Sequence, residues 1–157
     1  FELTWKGSEL GTFTTPLPGL YNIYNILSAV ATYLAYGGRQ GVIQKVLDGF
    51  TGVGRRFEIV GELHGTVVIS DYAHHPTALR AVTEAAASKY QGKRILTVFR
   101  PHHRERTIKL FDEFVTVIGN ISNTILIEIY DVAGREESVT VSSKDIIEKI
   151  LKQNENV

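Results

Sequence analysis

The residues best suited to chemistry stand in one short stretch, where Val67-Val68-Ile69-Ser70 is followed by Asp71, His74, His75 and Pro76. The apolar run predicts a buried strand, and Pro76 fits the first turn of a following helix, where its missing N–H costs nothing. In open parallel sheets, ligands bind beyond the carboxyl ends of the strands. We therefore expect this carboxylate and these two imidazoles at a ligand-binding edge.

Two later predicted strands also end in polar clusters. The first of these strands is followed by Arg100, His102, His103, Arg104 and Arg106. The end of the second carries Glu128, Tyr130, Asp131 and Arg135. An arginine side chain presents a rigid fork of donors that suits a carboxylate or a phosphate, whereas a carboxylate such as Asp71 accepts hydrogen bonds and suits a pair of ribose hydroxyls. Because the ends of parallel strands meet at one edge, we expect the three clusters to converge.

Each of these groups also has an ordinary structural explanation. Asp71 could cap a helix or form a turn, and Arg104 could stand at the solvated start of a helix. Asn22 and Asn25 could do no more than cap the helix that carries them. The two His-His pairs suggest a metal, but adjacent histidines point in different directions and no Cys or HExxH spacing accompanies them, so we assign no metal ligand.

The composition bounds the class of protein. The chain has 157 residues, 43% of them hydrophobic and 22% charged, as in a soluble globular protein of one domain or one domain plus part of another. The 17 basic residues balance the 17 acidic ones, which leaves no global electrostatic reason to expect nucleic acid or a membrane as a partner. The chain has no cysteine, which suits the cytoplasm, and its lack of methionine together with a start at Phe1 predicts a fragment.

Residues 1–51 have the pattern of a hairpin followed by two helices. The hairpin is predicted from alternation around Lys6-Gly7-Ser8, and the first helix contains Asn22 and Asn25 and ends at Gly37-Gly38. Glycines at positions 49, 52 and 54 predict a domain boundary, which divides the chain into residues 1–51 and 52–157.

Residues 52–157 alternate predicted strands with predicted helices. Strands over Phe57–Leu63 and Thr66–Ser70 are joined by a tight His64-Gly65 turn, and further strands are predicted over Arg94–Phe99 and Thr124–Ile129. Helices are predicted after Pro76, around Ile108 to Ile118, and around Ile146 to Leu151. This order favours an α/β fold with a mostly parallel sheet and helices on both faces.

Several motifs together resemble the signature of the Mur ligase family. They are Gly54-Arg55-Arg56-Phe57, Asp71-Tyr72-Ala73-His74-His75-Pro76-Thr77, Phe99-Arg100-Pro101-His102 with Arg106-Thr107, the stretch from Pro18 to Asn25, and Glu128-Ile129-Tyr130. The resemblance covers nearly the whole chain. It departs from the family pattern at Tyr21, where the family usually has His, at Ser70, where it usually has Asp, and at Arg100, where Gln is common.

The resemblance implies a Rossmann-like C-terminal domain preceded by the tail of a central ATPase domain. The implied reaction is ATP-dependent amide formation, in which L-alanine is joined to UDP-N-acetylmuramate through an acyl phosphate during peptidoglycan synthesis in the cytoplasm. The implied cofactors are ATP and Mg2+, and the implied partners are the remaining domains of the same enzyme, which would hold the UDP-sugar and the main magnesium ligands. The fragment alone is expected to be inactive.

The resemblance also implies roles for seven residues. Asn22 and Asn25 would approach the adenine of ATP, Arg56 its phosphates and Asp71 its ribose. His75, Arg106 and His102 would line the pocket for the incoming amino acid.

Two other functions stay open from the sequence. A sister enzyme attaches a recycled tripeptide to the same sugar, but its later motif typically reads FEPR, whereas this chain has Phe99-Arg100-Pro101-His102. The chain could also be a stand-alone nucleotide-binding or regulatory module with no chemistry of its own. The phosphate-binding loop GxxxxGK[ST] does not occur in the chain, which agrees with a fragment of a ligase, and such a loop encoded upstream of Phe1 would distinguish the ligase from the module.

Overall fold

A computed structural model describes residues 1–130 and 141–154, in two compact units, Phe1–Tyr72 and Ala73–Val157. Asp131 and Arg135, which the sequence placed in the third polar cluster, lie outside the described residues. In chain order the elements are β1 (Glu2–Trp5), β2 (Ser8–Thr12), α1 (Leu20–Ala35), a 3-10 helix (Gln40–Val42), α2 (Ile43–Gly49), β3 (Glu58–Leu63), β4 (Thr66–Ser70), α3 (Pro76–Lys89), β5 (Thr97–Phe99), α4 (Arg104–Lys109), α5 (Phe111–Gly119), β6 (Thr124–Leu126) and α6 (Ser143–Asn154).

The first unit contains both predicted hairpins. β1 pairs antiparallel with β2, and β3 pairs antiparallel with β4. Each hairpin closes through two residues with positive φ, Lys6 (48°) with Gly7 (82°) and His64 (50°) with Gly65 (79°). Positive φ at both central residues matches the right-handed twist of the flanking strands, so these short turns fix the register of the hairpins.

The first unit also has its own apolar core. α1 contributes Ile26 and Val30, which pack with Leu3 and Phe13 from the N-terminal hairpin and its flank and with Leu47 of α2. α1 ends at Ala35. Two residues later, Gly37 has a φ of 82°, a left-handed conformation that cannot continue a right-handed helix. The predicted order of hairpin, helix and helix is confirmed.

The second unit joins parallel strands to helices. β5 and β6 are parallel, with Thr97 opposite Thr124 and Phe99 opposite Leu126. Leu79 of α3, Phe114 of α5 and Ile146 of α6 are buried in one core with Phe99. The parallel strands and the helices confirm the predicted α/β class.

Three details differ from the sequence prediction. The predicted helix around Ile108 to Ile118 is divided at Leu110 into α4 and α5, and β5 and β6 have three residues each. Among the described strands, β4 pairs only with β3, in a two-stranded sheet separate from that of β5 and β6. The domain boundary after residue 51 stays a prediction. Within the described ranges, no helix is long and apolar enough to span a bilayer.

Candidate functional site

The first group of site residues surrounds the Tyr21 phenol at the start of α1. Burial raises the pKa of Tyr21, the Asp71 carboxylate raises it further, and the Asn22 and Arg56 side chains act in the opposite direction. The four side chains are therefore close enough to influence one another electrostatically, and the buried Tyr21 hydroxyl has no hydrogen-bond partner among the described residues. The first unit thus contains three of the predicted nucleotide-binding residues, Asn22, Arg56 and Asp71, which are separated by up to about a third of the length of the chain.

The two asparagines of α1 are in different environments. Asn22 is buried, and its Nδ2 donates a 2.7 Å hydrogen bond to the Pro18 carbonyl, whereas Asn25 is exposed one turn later. The N-cap of α1 is Gly19, and no side chain caps this end of the helix. The capping alternative for the asparagines is therefore wrong, and Asn22 instead fixes the bend that leads into α1.

Arg56 is presented by a tightly bent loop before β3. Its neighbours Arg55 and Phe57 both have positive φ, 58° and 49°. The Phe57 N–H donates to Oδ2 of Asp71 at 2.8 Å, and the Tyr72 N–H donates to the Arg55 carbonyl at 2.8 Å. Arg56 itself is exposed, and its guanidinium has no hydrogen bond or ion pair to any part of the chain that the structure describes. It is thus available to an anionic ligand.

The second group of site residues lies in the second unit and begins with His75. His75 is the N-cap of α3, and its Nδ1 accepts a 3.3 Å hydrogen bond from the Thr77 N–H. An acceptor Nδ1 in a neutral imidazole leaves the proton on Nε2. His75 therefore offers Nε2–H as a donor while its backbone starts the helix.

The ends of β5 and β6 carry a stack of rings and cations. The His102 ring lies 4.7 Å from the Tyr130 ring and 5.3 Å from the His103 ring, and the Arg100 guanidinium lies 4.9 Å from the centre of the Tyr130 ring. Arg106 of α4 donates from Nη1 to the His102 carbonyl at 3.2 Å. The convergence of the second and third polar clusters is confirmed for these residues.

The surroundings of His102 lower its pKa. Burial lowers its pKa below the usual value of 6.5, and the nearby His103, His74, Arg106 and Arg100 side chains lower it further, in that order. The cluster is thus a region of mutually repelling positive charge, which a bound anion would stabilise.

Other charged residues near these strand ends have structural partners. Arg104 donates to the Val141 carbonyl, and Glu128 accepts from the Ile129 and Ser143 N–H groups at 2.8 and 3.2 Å. In residues 1–130 and 141–154, no three His, Cys, Asp or Glu side chains are grouped as metal ligands would be.

The sequence did not predict that the Tyr130 ring packs against the His102 ring. It also did not predict that a hydrogen bond from the Phe57 N–H to Asp71 holds the loop that carries Arg56. Tyr130 was identified only as a residue near a strand end, and the Asp71–Phe57 hydrogen bond was not foreseen. The hairpin register contains the signal for this bond, because Glu58 pairs with Ser70 and so brings Phe57 and Asp71 to adjacent positions. A prediction would have needed the register shift between Ile59 and Gly61.

Comparison with known proteins places this fold and these motifs in one class of enzymes. The sequence profile described as "Mur ligase, glutamate ligase domain" matches residues 55–157, which is more than half of the chain. The chain belongs to the Mur ligase family.

Within that family, the chain is similar to proteins named UDP-N-acetylmuramate–L-alanine ligase and to a murein peptide ligase. It is 38% identical over 153 residues to the UDP-N-acetylmuramate–L-alanine ligase of Hydrogenobaculum, a match that covers 98% of this chain and 34% of that protein. The crystal structure of UDP-N-acetylmuramate-alanine ligase from Thermotoga maritima superposes with a TM-score of 0.69 at 26% identity, over 90% of this chain and 29% of that one. A murein peptide ligase from Psychrobacter arcticus gives a TM-score of 0.61 at 26% identity, over 90% and 28% of the two chains. The chain thus spans about a third of the length of the curated relatives it matches.

Proposed function

We propose that this chain is the C-terminal part of an ATP-dependent ligase that joins L-alanine to UDP-N-acetylmuramate through an acyl phosphate, in the cytoplasmic stage of peptidoglycan synthesis. The observation that carries the proposal is that the two groups of side chains differ in their chemistry. Acceptors and one available guanidinium surround Tyr21, and a cluster of cations surrounds His102. Similarity to named L-alanine ligases over 98% of the chain supports the choice of reaction.

The first group has the chemistry that ATP requires. The Asp71 carboxylate accepts hydrogen bonds from ribose hydroxyls, the exposed Arg56 guanidinium binds phosphate oxygens, and the amides of Asn22 and Asn25 face the adenine. ATP supplies the phosphoryl group that activates the muramate carboxylate. The main Mg2+ ligands and the UDP-sugar site are expected in the remaining domains of the enzyme.

The second group has the chemistry that the incoming amino acid requires. Arg106 is fixed by its bond to the His102 carbonyl and binds the carboxylate of L-alanine, and His75 Nε2–H donates a further hydrogen bond. His102 lines the pocket, and the positive side chains near it, Arg106 and Arg100, balance the negative charge of the ligand. Fixed donors also stabilise the anionic tetrahedral intermediate that forms when the amine attacks.

The test is an assay of the polypeptide encoded by the complete reading frame. With UDP-N-acetylmuramate, ATP, Mg2+ and L-alanine, we expect one inorganic phosphate released for each L-alanyl product formed. The isolated 157-residue chain is expected to form no product. Product formed by the isolated chain would contradict the division of the site between domains, and no product from the complete polypeptide would overturn the proposal.

A second candidate is the ligase that attaches a recycled tripeptide to the same sugar. It is favoured by the similarity to the murein peptide ligase of Psychrobacter arcticus. The same assay separates the two candidates when the tripeptide replaces L-alanine. We expect kcat/KM to be higher for L-alanine, and a preference for the tripeptide would establish the second candidate.

A further inference from the structure

The loop that carries Arg56 has an unfavourable backbone conformation. Arg55 and Phe57, on either side of Arg56, both have positive φ, which is disfavoured for residues with a Cβ atom. Such a conformation persists only when surrounding contacts hold it. The contacts that hold this loop therefore determine where the Arg56 guanidinium lies.

Two carboxylates hold the loop, one on each side of Arg56. Glu58 Oε2 accepts the Arg55 N–H at 2.7 Å, and Asp71 Oδ2 accepts the Phe57 N–H at 2.8 Å. The Glu58 bond is exposed to solvent, whereas the Asp71 bond is partly buried beside the buried Phe57 ring. A charge-assisted hydrogen bond is stronger away from water, so the Asp71 bond is the more effective restraint.

The Asp71 bond also links two distant parts of the first unit. Asp71 directly follows β4, and Phe57 directly precedes β3, so the bond extends the β3–β4 pairing by one position beyond Glu58 and Ser70. It fixes the loop to the end of a paired strand. The Arg55 guanidinium, 4.5 Å from the Tyr72 ring centre, holds the same two segments together.

We propose that Asp71 is a positioning residue for Arg56, because its carboxylate holds the Phe57 N–H and so fixes the bend that presents the Arg56 guanidinium to the phosphates of the nucleotide. The inference rests on the proposed function, which gives Arg56 its ligand. It adds to the ribose contact, since one carboxylate then influences the binding of both the ribose and the phosphates. Removal of Asp71 must weaken the binding of a polyphosphate that has no ribose.

The first experiment measures hydrogen exchange of the Phe57 amide in the 157-residue chain. In Asp71→Ala the rate should rise about 10- to 100-fold, as expected for loss of a charge-assisted hydrogen bond. Asp71→Asn keeps an acceptor oxygen and should restore most of the protection. Glu58→Ala, which removes a carboxylate bond from Arg55 but not from Phe57, is the matched control and should leave the Phe57 rate unchanged.

Amides of the β3–β4 ladder monitor folding in the same measurement. If Asp71→Ala loses this protection as well, Asp71→Asn decides the question: its neutral acceptor makes a weaker bond than the carboxylate, so the Phe57 rate should still rise a few-fold with the ladder intact, whereas Glu58→Ala should leave that rate unchanged. An equal effect of Glu58→Ala and Asp71→Ala on the Phe57 rate, or no effect of either, would overturn the inference.

The second experiment measures the binding of tripolyphosphate and ATP to the complete polypeptide by calorimetry. Asp71→Ala should weaken both ligands, and Asp71→Asn should recover most of the affinity for tripolyphosphate. If Asp71→Ala weakens ATP alone, Asp71 acts only on ribose and the inference is wrong. If wild-type protein binds neither ligand, the proposed function itself fails, an outcome distinct from every result of the exchange experiment.

Discussion

The group around Tyr21 and the group around His102 are built in opposite ways. In the first, side chains hold backbone groups, as Asp71 holds the Phe57 N–H and Asn22 holds the Pro18 carbonyl. In the second, rings and cations pack against one another, and burial together with the neighbouring positive charges lowers the pKa of His102.

Positive φ at residues other than glycine is also concentrated in the first unit. Of the five described residues other than glycine with positive φ, Lys6, Arg55, Phe57 and His64 belong to the first unit and His103 to the second. The comparison indicates that the first group depends on bent loops held in place, whereas the second depends on charge that is balanced when an anion binds. The two regions should therefore respond differently to substitution.

The largest expected effect comes from truncating one side chain in the core of the second unit. Phe114 is completely buried, and Phe114→Ala should lower the free energy of unfolding of this unit by about 3–5 kcal/mol. The unfolding of α5, followed by hydrogen exchange, should shift more than the fluorescence of Trp5, the chain's one tryptophan, which lies in the first unit. Val98→Ala, at a residue that is 58% exposed, is the control. Equal shifts of both probes would mean that the two units unfold as one.

The next effect tests the role of charge in the second group. Arg106→Ala in the complete ligase should raise KM for L-alanine about 10- to 100-fold, because a charge-assisted contact is lost. Lys109→Ala is the matched control on the same helix, since the Lys109 side chain is 69% exposed and pairs with Glu105. Steady-state kinetics measures both variants, and similar KM values for the two would argue against an amino-acid site at Arg106.

A smaller effect tests the dependence of the first unit on turn geometry. Gly65 and Gly61 both face open space, but only Gly65 has positive φ, at 79°. Gly65→Ala should lower the free energy of unfolding by about 1–2 kcal/mol. Gly61→Ala should leave it unchanged or raise it slightly, because the unfolded chain loses freedom. Urea denaturation distinguishes the two variants, and equal losses of unfolding free energy would show that the positive φ of Gly65 is not the cause of its loss.

The smallest effect is electrostatic and appears in a pH titration. The pKa of His102 is lower in the folded chain than in the unfolded chain, so the unfolded chain binds a proton at His102 more strongly. The free energy of unfolding should therefore fall as the pH drops from about 6.5, the unfolded pKa, toward the lower pKa of the folded chain. His103→Asn removes the neighbouring charge with the largest influence, and asparagine tolerates the φ of 69° at this position. NMR titration should find the pKa of His102 raised toward its usual value, and an unchanged pKa would mean that His103 does not contribute to the shift.

The sequence by itself determined the order of the elements, the hairpins and the motifs of the family. These features depend on local signals, such as Pro76 at the start of α3, the His64-Gly65 turn and apolar residues at helical spacing. The seven site residues were also named from the sequence. Their roles stay predictions, as does the convergence of Asp71 with Arg106 at one edge.

Only the tertiary structure decided what these residues hold. Asp71 accepts the Phe57 N–H because the pairing of β3 with β4 shifts by one residue near Gly61, and Tyr130 stacks on His102 because β5 and β6 are adjacent and parallel. A register shift and a pairing between distant strands depend on the packing of the whole unit, and no local pattern of residues encodes them.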